Sequence, residues 1–540
     1  MHSEDDILKR LETLNAIGVA LSSERDLKRL LELILEAARS FARADGGTLY
    51  RAKDQHLVFE VLRNDTLGYH MGGKTGTPIH FAPLPLYGPD GTGNHTMVVV
   101  HAALSGKTVN IPDAYAAEGY DFSGTRAFDS RTGYRSESFL TVPMRNHAGE
   151  LIGVLQLINA RSAAGVVRAF SHADQQLVES LASQAAIALS NRLLIEQQES
   201  LFESLINLIN SAIDEKSPYT GGHCERVPVL TMMLAEAAER ANSGPLSDFK
   251  MSEADRYELK IAGLLHDCGK ITTPVHVVDK ATKLQTLFDR IELIDTRFEV
   301  LFRDLEIAQL KGEISAETFQ QTLAELRAER ELVRVSNIGS EFMDDAKVQA
   351  IQQIGQRSWQ PRDAAVQPFF SADELENLSI RKGTLTGPER EIINHHIVMT
   401  IKMLEALPWP PHLTKVPEYA GGHHERMDGK GYPRGLTREQ MSVPARVMGI
   451  ADIFEALTAG DRPYKKGKSL SESIQILGFM SRDHHIDSDL FEIFLRERVY
   501  MRYAKRFLTS DQIDQVNWSK IPSLKPELVE FMTAADAAKR

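Results

Sequence analysis

Between residues 173 and 213 the chain contains neither proline nor glycine. Those are the two residues that most readily end a helix. Within the run Leu194, Leu201 and Leu208 recur every seven residues, as do Ile195, Phe202 and Ile209. A sevenfold apolar repeat makes a stripe that one long helix can offer to another. Asn191 and Gln198 interrupt it. The run reads as a connecting helix, a dimer coiled coil, rather than a helix packed on its own domain. It also divides the chain, because the pattern differs on its two sides. At 540 residues the chain exceeds what one core holds, so two or three domains are expected.

Ahead of the run, residues 7–43 carry Leu8, Leu11, Leu14, Leu27, Leu30, Leu31 and Ile34 near the helical period. Apolar runs suited to strands follow at Leu57–Leu62, Met97–Val100 and Leu151–Ile158, the last after the turn Asn146-His147-Ala148-Gly149. Residues 1–172 thus read as an α+β domain. After Pro218 the pattern is almost wholly helical. Residues 284–335 predict a helical hairpin, broken at Lys311-Gly312 and restarted at the N-cap Ser315. Residues 336–380 are less regular, with a loop at Trp359-Gln360-Pro361.

The formal charge is −12, so free nucleic acid and anionic membrane are disfavoured partners. A phosphate substrate then needs a local positive site. Cys224 and Cys268 are the only cysteines, which gives no disulfide framework and suits a reducing, cytoplasmic setting. No Cys-x-x-Cys pair exists, which argues against structural zinc. The acidic start lacks the apolar run of a signal peptide. No stretch reaches the ~20 apolar residues needed to span a bilayer.

Two segments concentrate the chemistry. His266-Asp267-Cys268-Gly269-Lys270 sets an imidazole beside a carboxylate, with a cation three residues on. His423-His424 opens a glycine-spaced turn through Gly429 and Gly431 to Tyr432-Pro433. Imidazole and carboxylate are ligands that iron and manganese share. Successive helical residues point about 100° apart, so His266 and Asp267 can serve two metals or bridge them. His396 lies on an amphipathic helix, with His395 beside it of open role. Asp452 lies in a mostly apolar helix, where a bare carboxylate is costly unless a cation compensates it. His484-His485 sits in a polar loop and reads as surface.

Residues 212–510 resemble the HD-GYP family of HD phosphohydrolases. The matching pieces are Tyr219–Val227, His266–Lys270, Glu391–His396, His423–Pro433 and Ala451–Thr458, followed by Arg462-Pro463-Tyr464. The resemblance implies hydrolysis of a cyclic dinucleotide, chiefly cyclic di-GMP, with two or three iron or manganese ions. It implies His223, His266, Asp267, His396, His423, His424 and Asp452 as ligands, with Asp267 bridging. Asp214 stands where many members carry Glu and is the candidate for a third ion. Lys270 and Asp267 are the implied catalytic groups. Gly431, Tyr432, Pro433, Arg462 and Lys465 are the implied substrate contacts, the glycines letting backbone approach the nucleotide. About a hundred residues, roughly 285–382, are extra to the family pattern and read as an inserted hairpin, a lid or a dimer contact.

Residues 110–175 resemble a GAF domain of the kind found in cyclic-nucleotide phosphodiesterases. The resemblance rests on Asn110–Tyr115, Thr132–Arg135, Val142–Asn146 and Gly153–Asn159. Ala160 and Gln175 replace the Lys and Glu of cyclic-nucleotide binders, whereas Phe170 and Asp174 are kept.

The fold expected is multidomain: an α+β GAF sensor domain (1–172), a connecting helix (173–213), an all-α HD-type phosphohydrolase domain with a helical insertion (214–510) and a C-terminal helical tail (511–540). A homodimer with a small-molecule ligand in the GAF domain completes the expectation. The competing readings are a non-catalytic cyclic-dinucleotide receptor and an HD hydrolase of another phosphate ester.

Overall fold

The computed structural model describes residues 4–216, 222–339, 342–361, 365–460 and 467–537. It forms two compact units, Met1–Phe202 and Glu203–Arg540.

The leucine-rich start is two helices rather than one stretch: α1 (Glu4–Ser23) and α2 (Leu27–Ala42). Asp26 separates them, because its side chain accepts from the Arg29 NH and caps α2. There follow β1 (Ala44–Lys53), β2 (His56–Asn64), β3 (Tyr69–Gly72), β4 (Leu84–Pro85), α3 (Val98–Ser105), β5 (Val109–Ile111), α4 (Ser123–Thr132), β6 (Phe139–Arg145), β7 (Leu151–Arg161) and β8 (Val167–Arg168). The sheet runs β3-β2-β1-β7-β6-β5, with β4 on β2 and β8 on β7, all pairs antiparallel.

The run Met97–Val100, expected as a strand, is the start of α3. Val98, Val99 and Val100 are all buried, and a short apolar run buried on every side has no period to separate strand from helix. The long helix is present as α5 (His172–Lys216), 45 residues and about 67 Å long. Its Val178, Leu181, Ala185 and Leu189 join Leu31, Ile34 and Leu35 of α2 and Leu155 and Leu157 of β7 in the main core of the first unit. Asp174, near the start of α5, is paired with Arg168 at 2.6 Å. Glu32 of α2 is buried, 3.0 Å from Arg63, and accepts the Thr75 NH at 2.7 Å.

The second unit is helical: α6 (His223–Glu239), α7 (Glu253–Leu265), a 3-10 turn (Cys268–Thr272), α8 (Val275–Val278), α9 (Ile291–Leu310), α10 (Ala316–Ile338), α11 (Asp345–Gly355), α12 (Ala372–Leu378), α13 (Gly387–Glu405), α14 (Val416–Gly421), α15 (Val443–Thr458), α16 (Leu470–Arg482), α17 (Ser488–Arg496), α18 (Val499–Phe507) and α19 (Pro526–Ala537). Ser315 caps α10 by accepting from the Thr318 NH, as its sequence predicts.

The extra residues are more than a hairpin. The helices α9 to α12 and a two-stranded pair, β9 (Ser358–Trp359) and β10 (Gln367–Pro368), enclose a separate apolar cluster. Ile294, Phe298, Leu326, Val333, Ile351 and Phe369 fill it. Its two stems are tied by Lys280, which meets Glu389 at 2.7 Å and Asn377 at 2.7 Å. No described helix is long and apolar enough to cross a membrane.

Candidate metal centre

Five helices deliver the histidines and carboxylates to one place in the second unit. His223 opens α6, His266 follows the last turn of α7, and Asp267 leads into the 3-10 turn. His396 lies in α13, His423 and His424 follow α14, and Asp452 lies in α15. Two glycines allow the approach. A Cβ on Gly263 would sit 3.2 Å from the Pro228 Cα, so α7 lies close on α6. A Cβ on Gly269 would sit 2.0 Å from the His396 carbonyl oxygen, so the 3-10 turn lies directly on α13. The Gly269 NH also donates to the Thr400 hydroxyl at 2.9 Å.

Two groups of three side chains each have donor atoms within 4.8 Å of one another: His223, His266 and Asp267, and His396, His423 and His424. Asp267 joins them. Its Oδ2 lies 3.2 Å from the Nε2 of His223 and 3.4 Å from that of His266. Its Oδ1 lies 3.4 Å from the Nε2 of His396. Asp452 Oδ1 lies 3.2 Å from His223 Nε2. Like atoms face each other: Nε2 of His223 and His266 are 3.2 Å apart, as are Nε2 of His424 and His396.

The Nδ1 atoms explain this arrangement. His266, His396 and His423 each direct Nδ1 at a carbonyl three residues back, of Gly263 (2.7 Å), Ile393 (2.5 Å) and Ala420 (2.6 Å). A proton held there leaves Nε2 as a lone pair aimed inward, the form that binds a metal. His423 Nε2 is buried without a hydrogen-bond partner. Such an atom is costly unless something accepts its lone pair, and a cation does so. Borderline imidazoles together with hard carboxylates fit divalent iron or manganese.

Burial, then the facing rings of His424 and His266, push His423 well below the ordinary imidazole value. Burial pushes His424 down to about 4. Burial opposes a charge on His223, but Asp267, Asp452 and Glu455 outweigh it and raise that ring well above its ordinary value. Burial works against the Asp267 carboxylate, yet Lys270 and His266 hold it well below the usual range. Lys270 Nζ is ion-paired to Asp267 Oδ2.

Tyr432 stacks on His424, ring centroids 4.8 Å apart and planes 21° from parallel. Gly431 is needed by the protein itself, since a Cβ there would lie 2.4 Å from the Arg426 nitrogen. Gly429 has a φ of 76°, in the left-handed region. Both glycines shape the turn. Pro433 is exposed. Asp214 lies half-buried near the end of α5 and is in neither group of three. Arg462 and Lys465 lie outside the described residues. Of the neighbours His395 and His396, only His396 is buried. His484 is exposed, as expected, but His485 is half-buried.

Three further charged residues, Glu455, Arg226 and Glu425, support the cluster. Buried Glu455 contacts His223 Nδ1 at 2.5 Å, and Arg226 donates to its other oxygen at 2.7 Å. Buried Glu425 accepts the NH groups of Arg434 (2.7 Å) and Leu436 (2.9 Å), holding the turn that carries Tyr432. All three lie inside the motif segments Tyr219–Val227, His423–Pro433 and Ala451–Thr458, but only Glu455 stands as a charge within a largely apolar stretch, as Asp452 does.

A family model described as a GAF domain matches residues 26–189, and two described as HD domains match residues 220–334 and 370–490. A GAF match followed by HD matches, in that order along the chain, supports an HD-GYP type of arrangement. Neither HD match covers residues 335–369, which belong to the excursion between the two ligand groups. The 3'3'-cGAMP-specific phosphodiesterase 1 of Vibrio cholerae is 44% identical over 79 residues, 15% of this chain and 18% of that one. The 3'3'-cGAMP-specific phosphodiesterase 3 of the same organism is 24% identical over 334 residues, 60% of this chain and 47% of that one. A cyclic di-GMP phosphodiesterase of Pseudomonas aeruginosa is 36% identical over 122 residues, 22% of this chain and 27% of that one. The chain thus matches less than half the length of each of these relatives.

Proposed function

We propose that the HD domain is a metal-dependent phosphodiesterase that hydrolyses a cyclic dinucleotide, with cyclic di-GMP as its substrate. The observation that carries this reading is Asp267, whose two oxygens face two separate histidine groups while Lys270 pairs with one of them. His223, His266, Asp267 and Asp452 would hold one ion, and Asp267, His396, His423 and His424 the other. Asp214 is the proposed ligand of a third. Iron or manganese ions there would supply Lewis acidity and lower the pKa of water.

The remaining roles fall to the protein. Lys270 stabilises the charge that develops on the phosphate. Tyr432, stacked on His424 and half-buried, offers its face to a base. Gly431 and Pro433 fix that face, and Arg462 and Lys465 meet the second phosphate or base. The names of the relatives support a cyclic dinucleotide and include both cyclic di-GMP and 3'3'-cGAMP.

The GAF domain is proposed to regulate this activity. It contains a cavity of about 590 Å³ lined by Tyr50, Phe59, Met97, Phe122, Tyr134 and Phe139. A ligand there would act through α5, which leaves the first core and runs to Asp214. On α5 the seam Ile187, Leu194, Leu201 and Leu208, with Leu205 beside it, is about half exposed or more at every position. Ile206, Asn210 and Ile213 are buried instead. The seam suits a second copy of α5, because Asn191 and Gln198 then meet their own counterparts in register. Two buried free thiols suit a cytoplasmic protein. The boundaries proposed are residues 1–172, 173–213, 214–510 and 511–540.

The test is anaerobic purification with iron or manganese, an ion count, and turnover of cyclic di-GMP and 3'3'-cGAMP, with Asp267→Ala as control. Two or more ions per chain and hydrolysis lost in the control are expected. Metal-replete protein that binds these nucleotides without cleaving them would make the chain a receptor instead.

A further inference from the structure

His223 differs from its neighbours in how its ring is held. His266, His396 and His423 each lean on a carbonyl three residues back. His223 is the first residue of α6, so no earlier turn of its own helix offers one. Its Nδ1 meets Glu455 at 2.5 Å instead. Glu455 lies one turn beyond Asp452 on α15, and Asp452 faces the other nitrogen of the same ring at 3.2 Å. One helix therefore grips the imidazole from both sides. Arg226, one turn beyond His223 on α6, donates two NH groups to Glu455 Oε1, each at 2.7 Å. Glu455 is 1% exposed, so this carboxylate is removed from water.

We infer that Glu455, restrained by Arg226, is the positioning residue for the His223 half of the metal centre. A carboxylate on Nδ1 fixes the ring's tautomer and makes Nε2 a stronger donor than a carbonyl partner does. Arg226 has a second effect: by engaging Oε1 it stops Glu455 from swinging inward to become a ligand itself. Among the described residues, no carboxylate clamps His396 or His423 at Nδ1, which meets a carbonyl in each. The two halves therefore differ in what tunes them, and one can be weakened without the other. This rests on the metal-centre reading of the cluster but not on the identity of the substrate.

The test is calorimetric titration of Mn2+ into the metal-free full-length chain. Wild type is expected to take up at least two ions. Glu455→Ala should weaken one of them by about 10- to 100-fold and leave the other unchanged. Glu455→Gln keeps the volume and an acceptor for the Nδ1 hydrogen, so it should weaken the same ion less. It also carries the test if the alanine variant does not fold. Arg226→Gln should again affect that ion alone. Equal weakening of both ions, which general loosening of the fold produces, overturns the inference, as does no change in either. A wild-type chain that takes up fewer than two ions overturns it together with the metal-centre reading. Two ions without turnover sinks only the substrate.

Discussion

Oδ1 of Asp267 lies 3.4 Å from the Nε2 of His396, although the entire excursion of α9 to α12 separates them in the chain. The other oxygen of the same carboxylate serves His223 and His266. Loss of this one side chain should therefore disturb both ligand groups. Asp267→Ala is expected to bind less than one ion per chain by elemental analysis and to lose about 1,000-fold or more in turnover, roughly 4 kcal/mol of barrier. Retention of two ions would refute the bridging role.

Lys270 should behave differently. Its Nζ is paired with Asp267 but is not among the atoms that could ligate. Lys270→Ala is expected to keep its ions and lose about 100- to 1,000-fold in kcat, with a smaller change in KM. Steady-state kinetics on metal-counted protein separate these effects.

Gly269 allows the 3-10 turn to lie on α13. In Gly269→Ala the new methyl would stand 2.0 Å from the His396 carbonyl, a backbone atom that cannot rotate away. The expected cost is about 1–3 kcal/mol of stability, seen in chemical denaturation, together with weaker metal binding as His396 is displaced.

The α5 seam predicts a dimer. Leu201 and Leu208 are 62% and 65% exposed in the single chain. Replacing both with glutamate should weaken self-association by well over about 1,000-fold, because a dimer then loses four leucines whose burial contributes about 2 kcal/mol each. Light scattering across a dilution series reads this directly. An unchanged mass would sink the seam.

Glu32 predicts an acid-sensitive first unit. Burial pushes its carboxyl up, but the Thr75 NH and hydroxyl, Arg29 and Arg63 outweigh burial and hold it at about 2 rather than the usual 4.5. A depressed carboxylate contributes stability that is fully present above pH 4.5 and is lost as pH falls toward 2. The stability gap between wild type and Glu32→Gln should therefore narrow over that window. A gap independent of pH would contradict the assignment.

The candidate ligands could be picked out in the sequence, because each sits in a short segment whose chemistry is visible locally. The pair His266-Asp267 declares itself beside Lys270, and the structure brings all seven implied ligands together. Which of His395 and His396 turns inward was not visible, since helix phase depends on what α13 packs against. Glu455 was invisible for the opposite reason: its importance lies in contact with His223, from a distant part of the chain. Val98–Val100 failed as a strand because burial on all sides erases periodicity. The excursion read as a hairpin because only contacts between α9 and Phe369 reveal its separate core.

The clasp of Lys280 with Glu389 has one more consequence. It fastens the stems of the excursion to each other before the chain returns to His396, so the helices that carry the histidines experience a closed ring of fixed circumference. What hangs beyond that ring can change in length or composition without shifting the histidines. An added module with its own core can thus be tolerated beside a centre that admits almost no displacement.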